Sequence, residues 1–441
     1  MRILATTDVH GNLLGFDYAV DMPDGSHGLA GLIPIIQTAR ADCDASVLLD
    51  NGDLLQGSAL IDTAADHARD EAAANPVIQL MNRIGYDAMG LGNHDFDHGP
   101  GFLNAAAQQA ACPVLSANTC SRLGATAADD ETLFAPTTLI HRDMGPDVPT
   151  LKIGVLSVLP PQTERSIRGW GGTPVLTRGT MDAARHWSGA LRAEGADVVI
   201  LLGHTGLGVI QPDSTLTDSG ETLAALPDID AVILGHTHEV IADAGRGADS
   251  ASPIVMPGVM ASHLGQIDMT LELTDGRWRI DPASTHARNI PNAAPDTGQP
   301  LAELPIAVQA AHDWTRSVLA QPIGTASQDI TTHFALVAPC LALDLIATVQ
   351  EQAVRAHLRG LEKPLAPIVS AVSPFRAGGR SGPRAYTNIP AGPVRLRNIY
   401  DLYWFPNTLA AVQMTGAGVL DWLERSAEIF EQITPGAADQ K

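Results

Sequence analysis

The chain has 441 residues and a formal net charge of −22, with 45% hydrophobic residues, 41 glycines and 30 prolines. That length exceeds one ordinary core and points to two domains, and the apolar content excludes a disordered chain. So acidic a protein repels polyanions, which argues against binding nucleic-acid polymers or a membrane surface, yet a small phosphorylated substrate stays open because bound cations can reverse a local field.

Four cysteines, Cys43, Cys112, Cys120 and Cys340, are too few for a disulfide framework. Cys112 and Cys120 could pair, but free thiols are the favoured reading. No apolar run reaches the ~18 residues of a membrane span. Met1 leads directly into Arg2-Ile-Leu-Ala-Thr-Thr7, which reads as a core strand. No signal peptide is visible, so the expectation is a cytoplasmic protein or a mature start whose leader has been removed.

In chain order, the strand at 2–7 ends in Asp8-Val9-His10-Gly11-Asn12. Residues 27–42 carry apolar positions at helical spacing. A second apolar run, Ala45 to Asp50, ends in Asn51-Gly52-Asp53. A helical stretch over 59–84 precedes Asp87-Ala-Met-Gly-Leu91 and then Gly92-Asn93-His94-Asp95-Phe96-Asp97. Further strands are expected at 113–118 and 151–159, and a helix at 182–194. The apolar runs 197–202 and 230–234 end in Gly203-His204-Thr205 and Gly235-His236-Thr237-His238. Residues 254–258 and 266–273 complete the strands, with Ser262-His263-Leu264-Gly265 between them. Alternating strands and helices give an α/β layered domain with mixed or paired sheets. The Pro- and Ala-rich stretch 281–304 reads as a linker and 305–320 as a connecting helix. From 321 to 441 the composition changes, with long helices over 336–360 and 416–430 around a segment rich in Gly, Pro, Arg and aromatics. The expected domains are therefore 1–280 and 321–441, joined by 281–320.

Asp8, His10, Asp53, Asn93, His204, His236 and His238 all follow strands closely, where α/β proteins place ligand sites. Each segment alone reads as a turn or a satisfied buried histidine. Together, carboxylate, imidazole and amide oxygen suit borderline cations such as Mn²⁺, Zn²⁺ or Fe²⁺. Seven ligands are too many for one tetrahedral ion and fit two ions sharing one carboxylate, with Asp53 as the bridge. Two such ions roughly 3.5–4 Å apart can hold a hydroxide nucleophile and neutralise an in-line phosphoryl displacement.

The series Asp8-x-His10, Gly52-Asp53-x3-Gly57, Gly92-Asn93-His94-Asp95, Gly203-His204 and Gly235-His236-Thr-His238 resembles the calcineurin-like metallophosphoesterases. Asn93-His-Asp-Phe-Asp97 resembles their 5′-nucleotidase branch. Asp8 to Tyr18, with Ser373-Pro-Phe-Arg-Ala-Gly-Gly-Arg380, Tyr386-Thr and Asp401 to Asn407, is similar to the bacterial 2′,3′-cyclic-nucleotide 2′-phosphodiesterase/3′-nucleotidases. The resemblance implies a four-layer catalytic domain followed by a smaller α/β substrate-binding domain. It implies one metal on Asp8, His10, Asp53 and His238, and another on Asp53, Asn93, His204 and His236. His94 and Asp97 match its catalytic dyad, with Asp97 keeping His94 charged. Asp95 is then loop support, Phe96 an anchor, His98 not a ligand, and His263 structural support.

In the second domain, Arg376 and Arg380 flank Gly378-Gly379 and could cradle a phosphate or ribose. Phe375, Tyr386, Tyr403, Trp404 and Phe405 are dense for a chain with 4% aromatics; one or two could stack on a base, while most read as core. The resemblance favours Phe375, the arginine pair and Tyr386 as substrate contacts. Relatives of this kind extend further at the C-terminus, so the second domain is expected to be incomplete. The implied activity is hydrolysis of 2′,3′-cyclic nucleotides and 3′-nucleotides by a periplasmic monomer. A 5′-nucleotidase or nucleotide-sugar hydrolase, and a nucleotide-binding protein without turnover, remain open alternatives.

Overall fold

In the computed structural model, all residues are described except 68–73, 164–174, 209–218, 245–251, 293–303, 362–366, 379–384, 404–406, 429 and 431–441. The chain forms two compact units. One comprises Met1–Gly324 with Pro393–Asp401, the other Thr325–Gly392 with Leu402–Lys441.

The first unit is built on two six-stranded sheets. In the first sheet, Arg2–Thr6, Ser46–Asp50, Ala88–Gly90 and Val114–Leu115 run parallel. The antiparallel strands His263–Asp268 and His286–Pro291 extend its other side. In the second sheet, Leu151–Val158, Val198–Gly203, Ala231–Leu234 and Ile254–Pro257 run parallel, with antiparallel Thr137–Arg142 and Val240–Asp243 at the edges. The sheets are mixed, as expected.

The central parallel strands are nearly continuous apolar runs because both of their faces are covered. One side of each sheet feeds a shared core, with Ile3, Val47 and Leu49 meeting Val155, Ile200 and Ile233. The opposite side of the first sheet packs Leu4, Leu48 and Met89 against helices that include Ile36, Leu60 and Val77. The second sheet does the same with Val199, Leu201 and Leu234 against Ala183, Leu191 and Leu223. The result is a helix–sheet–sheet–helix stack in which the parallel strands of both sheets end on one side.

Two expectations change. The helical stretch at 59–84 is two helices, Ala59–His67 and Pro76–Ile84. Asn75 caps the second by accepting from the amides of Val77 and Ile78, and Pro76 at the first turn supplies no amide that needs a partner. The stretch read as a linker from 281 contains the edge strand His286–Pro291, six residues paired antiparallel to His263–Asp268. The helix after it, Ile306–Leu319, packs on Ala59–His67, where Thr315 and Thr63 hydroxyls lie 2.7 Å apart. Both therefore belong to the first unit.

In the second unit, Ile330–Thr331 pairs antiparallel with Asn388–Ile389 beside the helix Leu341–Gly360. That helix begins five residues later than 336. The helix Gly416–Ala427 is capped by Thr415. All four cysteines are free thiols. Among the described residues no helix is long and apolar enough to cross a membrane.

Candidate metal centre and its rim

The seven candidate ligands leave the ends of five parallel strands. Asp8 and His10 follow Arg2–Thr6, Asp53 follows Ser46–Asp50, and Asn93 follows Ala88–Gly90. His204 follows Val198–Gly203, and His236 and His238 follow Ala231–Leu234. Each sheet thus contributes one side of the site.

The backbone there is strained in a consistent way. Asp8, His10, Asp53, His236 and His238 all have positive φ, between 48° and 72°. Each such residue costs about 1–3 kcal/mol, and this kind of strain concentrates at functional sites.

Two groups of donor atoms result, Asp8 with His10 and His238, and Asp53 with His204 and His236, each with its donors within 4.8 Å of one another. His10 places Nδ1 2.9 Å from the Gln56 carbonyl, which can only accept. Nδ1 therefore carries the proton, and Nε2 presents a lone pair 3.3 Å from His238 Nε2. His204 repeats this arrangement. Its Nδ1 faces the Asn51 carbonyl at 2.8 Å, while Nε2 lies 3.0 Å from Asp53 Oδ2 and 3.8 Å from Asp8 Oδ1. His236 Nδ1 lies 2.9 Å from Asn93 Oδ1, which brings the amide into the second group.

Lone pairs and carboxylate oxygens converging in a buried site repel unless a proton or a cation lies among them. For His204 a proton would answer that repulsion where no cation does: burial opposes its charge, but Asp53 and Asp8 outweigh burial and push its pKa up to about 10. His10 is pushed the other way, chiefly by burial. A neutral His10 beside two carboxylates is the state a divalent cation requires. The donor set of carboxylate, imidazole and amide oxygen fits that kind of ion.

His94 stands on the rim, 40% exposed, with Nδ1 2.7 Å from Asp97 Oδ2. Its ring centroid is 5.6 Å from that of His10. Burial works against its charge, but the Asp97 hydrogen bond and the Asp53 carboxylate outweigh it and raise its pKa to about 9. That shift favours the imidazolium, on a ring that lies beside His10 of the first donor group.

Several residues matter more than their letters suggest. Asp95, expected only as loop support, accepts four backbone amides, those of Asp53, Leu54, Leu55 and Gly92. Gly92 is needed for close approach, since a Cβ there would fall 2.3 Å from Asp53 Oδ1. Phe96 is buried in the core, as an anchor should be. His98 is in neither donor group and has Nε2 3.2 Å from Asp62 Oδ1. His263 rests against the Ser262 hydroxyl at 3.0 Å.

In the second unit, Phe375, Arg376, Gly378 and Tyr386 lie together. Ala377 bridges to Tyr386, and the Gly378 amide donates to the Ala385 carbonyl at 2.9 Å. The Thr332 hydroxyl donates to the Arg376 carbonyl. Phe375 packs edge-on against Tyr403 with centroids 5.0 Å apart, and Tyr386 lies tilted against His333 at the same separation. Gly379, Arg380, Trp404 and Phe405 lie outside the described residues.

Residues 1–240 match the calcineurin-like phosphoesterase family and residues 322–441 the 5′-nucleotidase C-terminal domain. A Salmonella typhimurium 2′,3′-cyclic-nucleotide 2′-phosphodiesterase/3′-nucleotidase is 33% identical over 98% of this chain and 69% of its own length. A Bacillus subtilis trifunctional nucleotide phosphoesterase is 32% identical over 99% of this chain but 30% of its own. A putative 5′-nucleotidase from Staphylococcus aureus shares the fold, with a TM-score of 0.72 at 21% identity over 97% of this chain and 76% of that one. The strand-end donor groups and both family matches lead to one conclusion: this chain belongs to the calcineurin-like phosphoesterases, with a 5′-nucleotidase C-terminal domain after the catalytic one.

Proposed function

We propose that the chain hydrolyses 2′,3′-cyclic nucleotides to 3′-nucleotides and then removes the 3′-phosphate, using a pair of divalent cations. The observation that carries this is the pairing of two donor groups with the hydrogen-bonded His94–Asp97 pair at their edge. The near full-length likeness to relatives named for these activities supports the substrate class.

In this reading one cation is held by Asp8, His10, Asp53 and His238, the other by Asp53, Asn93, His204 and His236. Mn²⁺, Zn²⁺ and Fe²⁺ are the candidates. When bound, the pair would supply Lewis acidity, lowering the pKa of a water and offsetting charge on the phosphoryl oxygens. The chain's own residues supply the rest. Asp97 fixes the ring of His94 through Nδ1, which leaves Nε2–H to donate to a phosphoryl oxygen as negative charge grows there. Asp95 holds the Asp53 turn in register with the Asn93 turn. Phe375, Arg376, Gly378, Gly379, Arg380 and Tyr386 are proposed to contact the nucleotide, the arginines at phosphate or ribose and an aromatic at the base. The substrate is a small molecule, and a periplasmic monomer is the form this reading favours.

Initial rates with 2′,3′-cyclic AMP, 3′-AMP and 5′-AMP under Mn²⁺ test the assignment. The first two should turn over and 5′-AMP should lag. Preference for 5′-AMP would make the chain a 5′-nucleotidase or nucleotide-sugar hydrolase. Metal uptake without turnover of even an aryl phosphate would make it a binding protein.

A further inference from the structure

Beneath Asp8 lies a polar pair that the proposed ligand set does not use. Thr7 and Asn51 are buried, as is Asp8 itself. Thr7 Oγ1 donates to Asp8 Oδ2 at 2.7 Å. The His236 amide approaches the same carboxylate, 3.1 Å from Oδ2 and 3.2 Å from Oδ1. Asp8 Oδ1 faces His238 Nε2 at 3.4 Å. Asn51 Nδ2 donates to the Gly203 carbonyl at 3.2 Å and to Thr7 Oγ1 at 3.4 Å. A hydroxyl has a single proton. With the Asn51 N–H arriving at its oxygen, Thr7 directs that proton to Asp8.

We propose that Thr7 is a positioning residue that makes Asp8 a one-oxygen ligand, and that Asn51 sets the direction of the Thr7 hydroxyl. This rests on the metal reading given above. The His236 amide is shared between the two oxygens, so the Thr7 hydroxyl is what distinguishes them: it occupies Oδ2, while His238 Nε2 and His204 Nε2 face Oδ1, which is therefore the oxygen turned towards a cation shared with His10 and His238. Two details show that the arrangement is built for this contact. Asn51 keeps its Nδ2 on the Gly203 carbonyl although its Oδ1 is buried without a hydrogen-bond partner, a state costing about 1–3 kcal/mol. Gly235 has no Cβ, and one placed there would fall 2.2 Å from Thr7 Oγ1 and 2.6 Å from Asp8 Oδ2. Hydrogen bonds that orient ligands in this way typically contribute ~10–100-fold in metal affinity.

The test is competitive titration of chelator-stripped protein with Mn²⁺ or Zn²⁺ against a chromophoric chelator, with circular dichroism of the metal-free variants as the fold control. Wild type should show two binding steps. Thr7→Val, which keeps the shape and loses the donor, should weaken one step ~10–100-fold and leave the other in place. Thr7→Ser should restore it. Both steps at wild-type strength in a folded Thr7→Val protein would overturn the inference and leave the metal reading standing. If Thr7→Val does not fold, the less bulky Thr7→Ala decides by the same readout. Absence of any binding step in wild type would instead overturn the metal reading, and this inference with it.

Discussion

The carboxylate of Asp95 accepts the backbone amide of Asp53 across 2.9 Å. It thereby ties the turn after one strand to the turn after the next. The amides of Leu54, Leu55 and Gly92 complete its partners, at 2.8–2.9 Å. Asp95→Asn exchanges one acceptor oxygen for an NH₂ group that faces amide donors. Leaving buried donors unmatched costs about 1–3 kcal/mol each. The variant should unfold in urea with a loss of roughly 2–4 kcal/mol in the metal-free state, and it should bind less metal at equal free concentration. Unchanged unfolding would show that Asp95 is a bystander.

His94 and Asp97 form a unit, so their effects should not add. His94→Ala should lower kcat on 3′-AMP by about 10²–10⁴-fold. Asp97→Ala should lower it less, because the imidazole stays but loses its orientation and much of its charge. The double variant should be no slower than His94→Ala alone. Metal content should remain that of wild type in all three, since neither residue lies in a donor group. Additive losses would mean that Asp97 acts independently of His94.

Gly378 has a φ of 75°, and a Cβ there would fall 2.5 Å from the Tyr386 hydroxyl. Gly378→Ala must therefore shift either the turn or the ring. If this turn contacts the nucleotide, KM for 3′-AMP should rise ~10-fold or more while hydrolysis of a simple aryl phosphate is unaffected; a loss equivalent to ~1.4 kcal/mol of binding gives that factor. An equal loss on both substrates would place the effect in the fold instead.

The series of candidate donors is legible in sequence because each member is local. An apolar strand, a strand end and a polar letter occur within a few residues, and period and composition report that directly. What escaped is tertiary. Nothing around Asp95 announces that amides from residues 53–55 will converge on it, and Thr7 and Asn51 meet only after their strands pair. The edge strand His286–Pro291 escapes for another physical reason. It is half exposed, carries few apolar side chains and ends in Pro, so it lacks the run that marks a central strand. In the second unit the turn around Gly378 shows in sequence as a cluster of residue types, but its contacts with Tyr386 depend on a bridge between segments nine residues apart.

Asp50, at the end of its strand, supplies the clearest pH dependence. It is buried, with Oδ2 2.6 Å from Thr6 Oγ1, while its Oδ1 accepts the Gly52 amide at 3.0 Å. Thr6 Oγ1 lies in turn 2.9 Å from the Tyr86 hydroxyl. Burial raises the Asp50 pKa to about 8; the Thr6 and Gly52 hydrogen bonds oppose this, and the charges of Asp95 and Asp8 add to it. A carboxyl with a folded-state pKa above its unfolded value stabilises the fold fully below about pH 4. That contribution is lost as pH rises towards 8, because the unfolded chain ionises first. Asn places an NH₂ against Thr6 and a carbonyl against the Gly52 amide, and it does not titrate. Relative to wild type, Asp50→Asn should therefore gain stability between pH 5 and pH 8, by on the order of 2–4 kcal/mol. Urea unfolding of both proteins in chelator at the two pH values measures this directly. A stability difference that stays constant between them would show that Asp50 is already ionised in the folded protein at pH 5.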